Sequence, residues 1–191
     1  MNAVEELIQR NRRFAAAHDG GQAALPRLRM CVVACPDPRA DPAHVLGLEP
    51  GDAAVVRAAA GRISPIVMQQ LMFLQATGAA LGAGEGDFEL VLMHHTDCGI
   101  RHFTAPDQRD GLAAFLGCSV EDLAGKAVTD PHAAVRVDMA ALAANPLIPG
   151  TLSVTGLVHD VDSGEVELVE RRSPLRAPPG ADGRADATVS S

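Results

Sequence analysis

Phe88-Glu89-Leu90-Val91-Leu92-Met93 runs without a break into His94-His95-Thr96-Asp97-Cys98-Gly99, and this junction of an apolar run with metal-competent residues decides the fold. Residues 88–93 are nearly all apolar and lack the alternation of a strand wetted on one side, so they read as a strand covered on both faces. Residues 28–34, which contain Met30-Cys31-Val32-Val33-Ala34, read the same way and end in another turn-rich polar segment, Cys35-Pro36-Asp37-Pro38-Arg39. Residues 53–57 form a further short strand after the turn Glu49-Pro50-Gly51-Asp52, and residues 152–159 form a fourth. Residues 166–170 pair with that fourth strand across Asp162-Ser163-Gly164.

Helical signals separate the strands. Ser64-Pro65 reads as an N-cap followed by Pro at the first helical position, opening a helix that runs to about Thr77-Gly78. Residues 107–144 are mostly helical, broken near Gly117 and at Asp130-Pro131 and ended by Asn145-Pro146. Strands alternating with helices imply right-handed crossovers. The expected fold class is α/β: three α-β-α layers around a central, mostly parallel four-stranded sheet plus an antiparallel C-terminal edge strand. Val4, Leu7, Ile8 and Phe14 recur at near-helical spacing until Gly20-Gly21, so residues 1–20 read as an amphipathic arm that packs on something. A single domain is expected over residues 1–172, and the Pro-, Gly- and Ala-rich residues 173–191 read as a disordered tail.

Composition narrows the function classes. The 191 residues are 47% hydrophobic, enough for one well-buried core. With five Phe and neither Trp nor Tyr, an aromatic platform for single-stranded nucleic acid is excluded. A net charge of −8 disfavours nucleic acid and anionic membranes as partners. No apolar stretch approaches the roughly 18 to 20 residues of a membrane span, and the charged N-terminal segment lacks a signal-peptide apolar region, so a cytoplasmic protein is expected. Of the four Cys, Cys31 and Cys35 lie four strand steps apart, about 13 Å, too far to bond each other. Reduced thiols, some of them metal ligands, are the reading that fits.

The two polar segments follow the carboxyl ends of two strands, where open α/β sheets place their ligands. Zinc takes sulfur and imidazole nitrogen in a tetrahedron. Cys35, His95 and Cys98 would therefore supply three ligands and leave one position free, as in a catalytic site. Asp37 and Arg39, two apart on what reads as an extended segment, project to one side and can form a bidentate ion pair beside the metal. His94, next to His95, is expected to point to the opposite face of its strand. Cys31 and Cys118 are expected to be core thiols, and Asp97 to stabilise a turn.

Cys-x-Asp-x-Arg, a strand ending in Val-Val-Arg before a small-residue turn, and His-Thr-Asp-Cys-Gly some sixty residues after the first Cys resemble the β-class carbonic anhydrases over about residues 28–170. The resemblance implies one zinc per subunit on Cys35, His95 and Cys98, with Asp37 and Arg39 as the catalytic dyad. It implies a carbonate dehydratase, a zinc lyase that hydrates carbon dioxide reversibly to bicarbonate and a proton. Gly99, Ala59 and Gly61 would border the substrate pocket, and the protein would be a homodimer or a dimer-based higher oligomer. Carbonyl sulfide or carbon disulfide hydrolysis on the same zinc, or a non-catalytic zinc protein, are the alternative readings. The chain departs from the family in Pro38, where Ser is usual, and in Arg57-Ala58-Ala59-Ala60-Gly61, where the family has Arg-Asn-Ala-Gly. Pro36 and Pro38 remove backbone donors, and Pro38 restricts Asp37 to extended conformations, which predicts a stiff loop.

Overall fold

The computed structural model describes residues 2–18, 20, 21 and 23–176. Five strands, β1 (Met30–Ala34), β2 (Ala53–Arg57), β3 (Glu89–His95), β4 (Ser153–His159) and β5 (Val166–Pro174), form one sheet in the order β2-β1-β3-β4-β5. The first four are parallel and β5 is antiparallel to β4, as expected from the alternating pattern. The helices are α1 (Ala3–Ala17), α2 (Pro42–Val45), α3 (Pro65–Ala80), α4 (Arg109–Leu116) and α5 (Pro131–Ala144).

The strands divide their side chains between two apolar layers, as strand alternation requires. Val33, Leu90 and Leu92 join Val67 and Leu71 of α3 and Leu142 of α5 in the larger cluster. Val32, Ala34, Val91 and Met93 face the other way, where Val45 of α2 and the adjoining Leu46 and Leu48 cover them. Leu90 and Leu92 are essentially inaccessible, and each contributes about 1.5–3 kcal/mol by leaving water. At Gly156 a Cβ would lie 2.3 Å from Val135 Cγ1, so a missing side chain lets α5 rest directly on β4.

Several boundaries move. β3 extends through His95, so both histidines end the strand rather than follow it. The expected first strand begins at Met30 instead of residue 28, because Arg29 turns the chain at φ 51°. β5 continues past Glu170 to Pro174, Leu175 packs on the larger core and Arg176 donates to backbone carbonyls. Residues 173–176, expected at the head of a disordered tail, are therefore anchored, and the remainder of that tail, residues 177–191, lies outside the described residues. Residues 38–40 form a short 3-10 turn rather than an extended segment, because Asp37 caps it by accepting from Arg39 N at 2.9 Å. The arm forms as α1 with a capping box between Asn2 and Glu5, yet none of its residues is buried; Leu7 and Phe14 stay 59% and 55% exposed. The expected packing of this arm is not found within the protomer.

Candidate metal centre

The site follows from strand register. Ala34 of β1 lies opposite Met93 of β3, so Cys35 leaves β1 beside the point where His95 ends β3. The turn after β3 then brings Cys98 back, aided by Asp97 in the left-handed region at φ 53°. The ligand atoms of Cys35, His95 and Cys98 all lie within 4.8 Å of one another, and the two sulfurs are 3.9 Å apart. They are the one such cluster of three metal-competent side chains among the described residues.

Whether these residues suit a metal is tested by His95. Its ring is 2% exposed, and Nδ1 lies 2.8 Å from the Thr96 carbonyl. A carbonyl only accepts, so Nδ1 carries the proton and Nε2 is left with a lone pair. That Nε2 is buried with no hydrogen-bond partner. A buried acceptor of this kind is costly unless something binds it, and a histidine fixed through its other nitrogen is how proteins present a metal ligand. The sulfurs agree. The thiol of Cys35 is pushed far down, chiefly because Cys98 donates to it, and Cys98 is pushed up by the same bond. A cation bound here would take the place of the proton the two sulfurs share.

Asp37 and Arg39 form the expected fork: Arg39 Nε donates to Asp37 Oδ1 at 3.1 Å and Nη2 to Oδ2 at 2.8 Å. The Arg39 side-chain bond holds the Asp37 carboxyl down to about 2. Asp37 itself has φ −53° and ψ 125°, the extended conformation that Pro38 imposes on the residue before it. Arg39 also reaches Asp97, through Nη1 to Oδ2 at 3.0 Å. Asp97 is therefore more than the turn residue expected: it ties the loop after β3 to the loop after β1.

Two arginines to which the sequence reading assigned no role organise the site. Arg57, at the end of β2, donates to the carbonyls of Cys35 and Asp37, each at 2.8 Å, and to Asp41 Oδ2 at 2.7 Å. It grips the loop where Pro36 and Pro38 leave few backbone donors. Arg62, 2% exposed, binds Asp138 of α5 through Nε and Nη2 and the Lys126 carbonyl at 2.8 Å. His94 points to the opposite face from His95, as alternation requires, and its Nε2 lies 3.2 Å from Asp138 Oδ2. Burial would raise the Asp138 carboxyl, but His94 and Arg62 outweigh it and hold it low. An acid on the buried stripe Val135, Asp138, Leu142 of a helix was the one sequence signal for this network.

The three residues assigned to the substrate pocket differ in their surroundings. A Cβ on Gly99 would meet nothing within 4 Å, which leaves open space beside Cys98. Gly61, at φ 66°, backs directly onto the metal loop, where a Cβ would lie 3.0 Å from Cys35 N. Ala59 begins the 3-10 turn Ala59–Gly61. Cys31 packs in the larger core and Cys118 in a smaller one with Leu112 and Leu116, as expected of core thiols. Burial alone pushes Cys31 up to about 12.

Fold and site together define an α/β protein that gathers two sulfurs and an imidazole at the carboxyl ends of neighbouring parallel strands. The carbonic anhydrase of Streptococcus mutans is 33% identical, superimposes with a TM-score of 0.68, and is matched over 89% of this chain and 99% of its own. β-Carbonic anhydrase 1 of Mycobacterium tuberculosis is 27% identical over 169 residues, 88% of this chain and 99% of the relative. A carbon disulfide hydrolase in its apo form shares the fold, with 22% identity, a TM-score of 0.59 and coverage of 88% and 90%. No family model matches. The chain belongs to the β-carbonic anhydrase family.

Proposed function

We propose that the protein binds one zinc per subunit at Cys35, His95 and Cys98 and hydrates carbon dioxide reversibly to bicarbonate and a proton. The observation that carries this reading is the buried, unpartnered His95 Nε2 converging on two sulfurs, a donor set that suits zinc and leaves room for a fourth ligand. When bound, zinc supplies a Lewis acid that lowers the pKa of a coordinated water, less than an all-imidazole site would, because two thiolates cancel its charge. Asp37, kept ionised by Arg39, accepts a hydrogen bond from the reacting water and orients it toward the carbon of carbon dioxide. Arg57 fixes the loop that carries Asp37, and Asp97 fixes Arg39. Gly99 puts no side chain beside Cys98, so nothing at that position obstructs the approach of a small substrate.

The unburied apolar residues of α1 support a homodimer, in which a second copy would cover them; described residues include no helix long and apolar enough to cross a membrane. A cytoplasmic location fits this reading. The test is stopped-flow hydration of carbon dioxide at about pH 7 and pH 8.5, alongside hydrolysis of carbonyl sulfide and carbon disulfide, on protein of measured zinc content. Rapid hydration by zinc-replete protein supports the proposal. Fast sulfide release with poor hydration selects a sulfur-substrate hydrolase, and inactivity on all three with full zinc selects a non-catalytic zinc protein.

A further inference from the structure

The two sulfurs of the metal centre are placed for a second kind of chemistry, with each other. Cys35 and Cys98 stand with their Sγ atoms 3.9 Å apart, joined by a hydrogen bond. A disulfide holds its sulfurs at about 2.05 Å, so closure needs a further approach of roughly 2 Å. The surroundings decide which side moves. Cys35 is 6% exposed, Arg57 grips its carbonyl at 2.8 Å, and Gly61 packs so closely on its backbone that an added Cβ would lie 3.0 Å from Cys35 N. Cys98 is half-buried and opens the 3-10 turn Gly99–Thr104, in which no residue is buried. A shift of Cys98 toward Cys35 therefore disturbs no core packing in the turn that follows it.

The remaining thiols do not compete. Cys31 belongs to the larger core and Cys118 to the small cluster with Leu112 and Leu116, and neither cluster contains Cys35 or Cys98. Adjacency also selects the product. A thiol oxidised by a peroxide becomes a sulfenic acid, which a second thiol converts to a disulfide or which more oxidant drives irreversibly to sulfinic acid. With a partner sulfur 3.9 Å away, the disulfide route is intramolecular and outruns the other.

We propose that Cys35 and Cys98 form a reversible, peroxide-driven disulfide that shuts the metal centre. One sulfur attacks hydrogen peroxide and keeps one oxygen as S–OH, while the O–O bond breaks and the other oxygen leaves as water. The second sulfur then attacks the first, and the hydroxyl departs with the second thiol's proton as another water. Two thiols and one peroxide give one disulfide and two waters. Both sulfurs that would hold a metal are consumed, and a dithiol reductant reopens the centre by returning two electrons and two protons. The inference rests on the metal-binding part of the reading above and not on hydration of carbon dioxide.

The test treats full-length, metal-free protein with an equimolar amount of hydrogen peroxide, alkylates the remaining thiols and maps the peptides by mass. The expected product has lost two hydrogens, links Cys35 to Cys98 and carries the alkyl label on Cys31 and Cys118. Zinc uptake, read against a chromophoric chelator, should fall about tenfold or more and return with dithiothreitol, since the ligands must be free thiolates. In zinc-loaded protein each disulfide formed should release one zinc. Four thiols still open to alkylation, sulfinic acid without a link, a link through Cys31 or Cys118, or zinc retained by the linked protein would each overturn the proposal. Failure of the fully reduced protein to take up zinc would refute the metal-binding reading itself, and the peptide map judges the disulfide separately.

Discussion

Arg39 and Asp97, 58 positions apart in the chain, meet at 3.0 Å and join the two loops that carry the metal-competent residues. Both side chains are nearly half exposed, so the contact is screened and adds little to global stability. Its effect is positional. Asp97→Ala is expected to leave the unfolding midpoint where it was while lowering turnover several-fold, because Arg39 loses one of its two anchors. Thermal melts and hydration rates on the same preparation check this; unchanged turnover would show that Asp37 alone orients Arg39.

Arg57→Ala removes three bonds from the loop between Cys35 and Asp41. The expected result is a lower kcat with zinc still bound, since the grip falls on the backbone around Asp37 more than on the sulfurs. Arg57→Lys, which restores the charge without the fork, should recover only part of the rate. Zinc content by elemental analysis and steady-state kinetics separate loss of metal from loss of orientation.

The acid limb of the pH profile is predicted from Asp37. The Arg39 side-chain bond lowers its carboxyl to about 2, below the ordinary value near 3.8 given for the unperturbed group. A lowered native pKa means that the ion pair stabilises the fold fully above the ordinary value, and that this stabilisation is lost as pH falls toward 2. Asp37 is then ionised throughout the neutral range, and any activity change between pH 8 and pH 6 belongs to another group. Asp37→Ala should keep zinc and lose about 100-fold or more in hydration rate, within the usual range for a positioned proton acceptor. In Arg39→Gln the Asp37 carboxyl 13C resonance should titrate higher than in the parent; identical titrations would sink the assignment.

Asp138→Ala leaves the Arg62 guanidinium buried without its counter-charge. Removing one partner of a buried pair destabilises by about 3–5 kcal/mol, and here Ile63 N loses its acceptor as well. Urea unfolding measures the loss; a change below about 1 kcal/mol, the range of exposed pairs, would mean that water compensates Arg62.

Gly61→Ala strains a residue at φ 66° and pushes a methyl to 3.0 Å from Cys35 N. The metal loop must then shift. Zinc affinity should fall by roughly tenfold or more, the scale found when groups that orient metal ligands are altered. Competition with a chromophoric chelator reads this directly, and an unaltered affinity would show that the loop yields elsewhere.

The parts of this protein that were legible in its sequence are those governed by local rules. The apolar runs became β1 to β4, Ser64 and Pro65 opened α3 as a cap and first-turn proline should, and Cys35, His95 and Cys98 converged. Asp37 and Arg39 paired, though through a capped 3-10 turn and not an extended segment. Arg57, met in the sequence only as the end of Val-Val-Arg, and Arg62 act across long separations, on partners 16 to 22 and 64 to 76 positions away. No periodicity marks such contacts. Asp138 could have been noticed as an acid on an apolar helical stripe, but its partner could not.

The metal-competent residues Cys35 and Cys98 stand 63 positions apart and meet only because β1 and β3 lie side by side as parallel neighbours. A parallel pair needs its intervening crossover in place before its ends can meet. The unfolded chain therefore offers zinc only the local pair His95 and Cys98, and the third donor, Cys35, arrives with the sheet. Metal uptake by this protein should follow assembly of the central sheet, so that refolding without zinc yields native secondary structure first and a metal-ready pocket as its result.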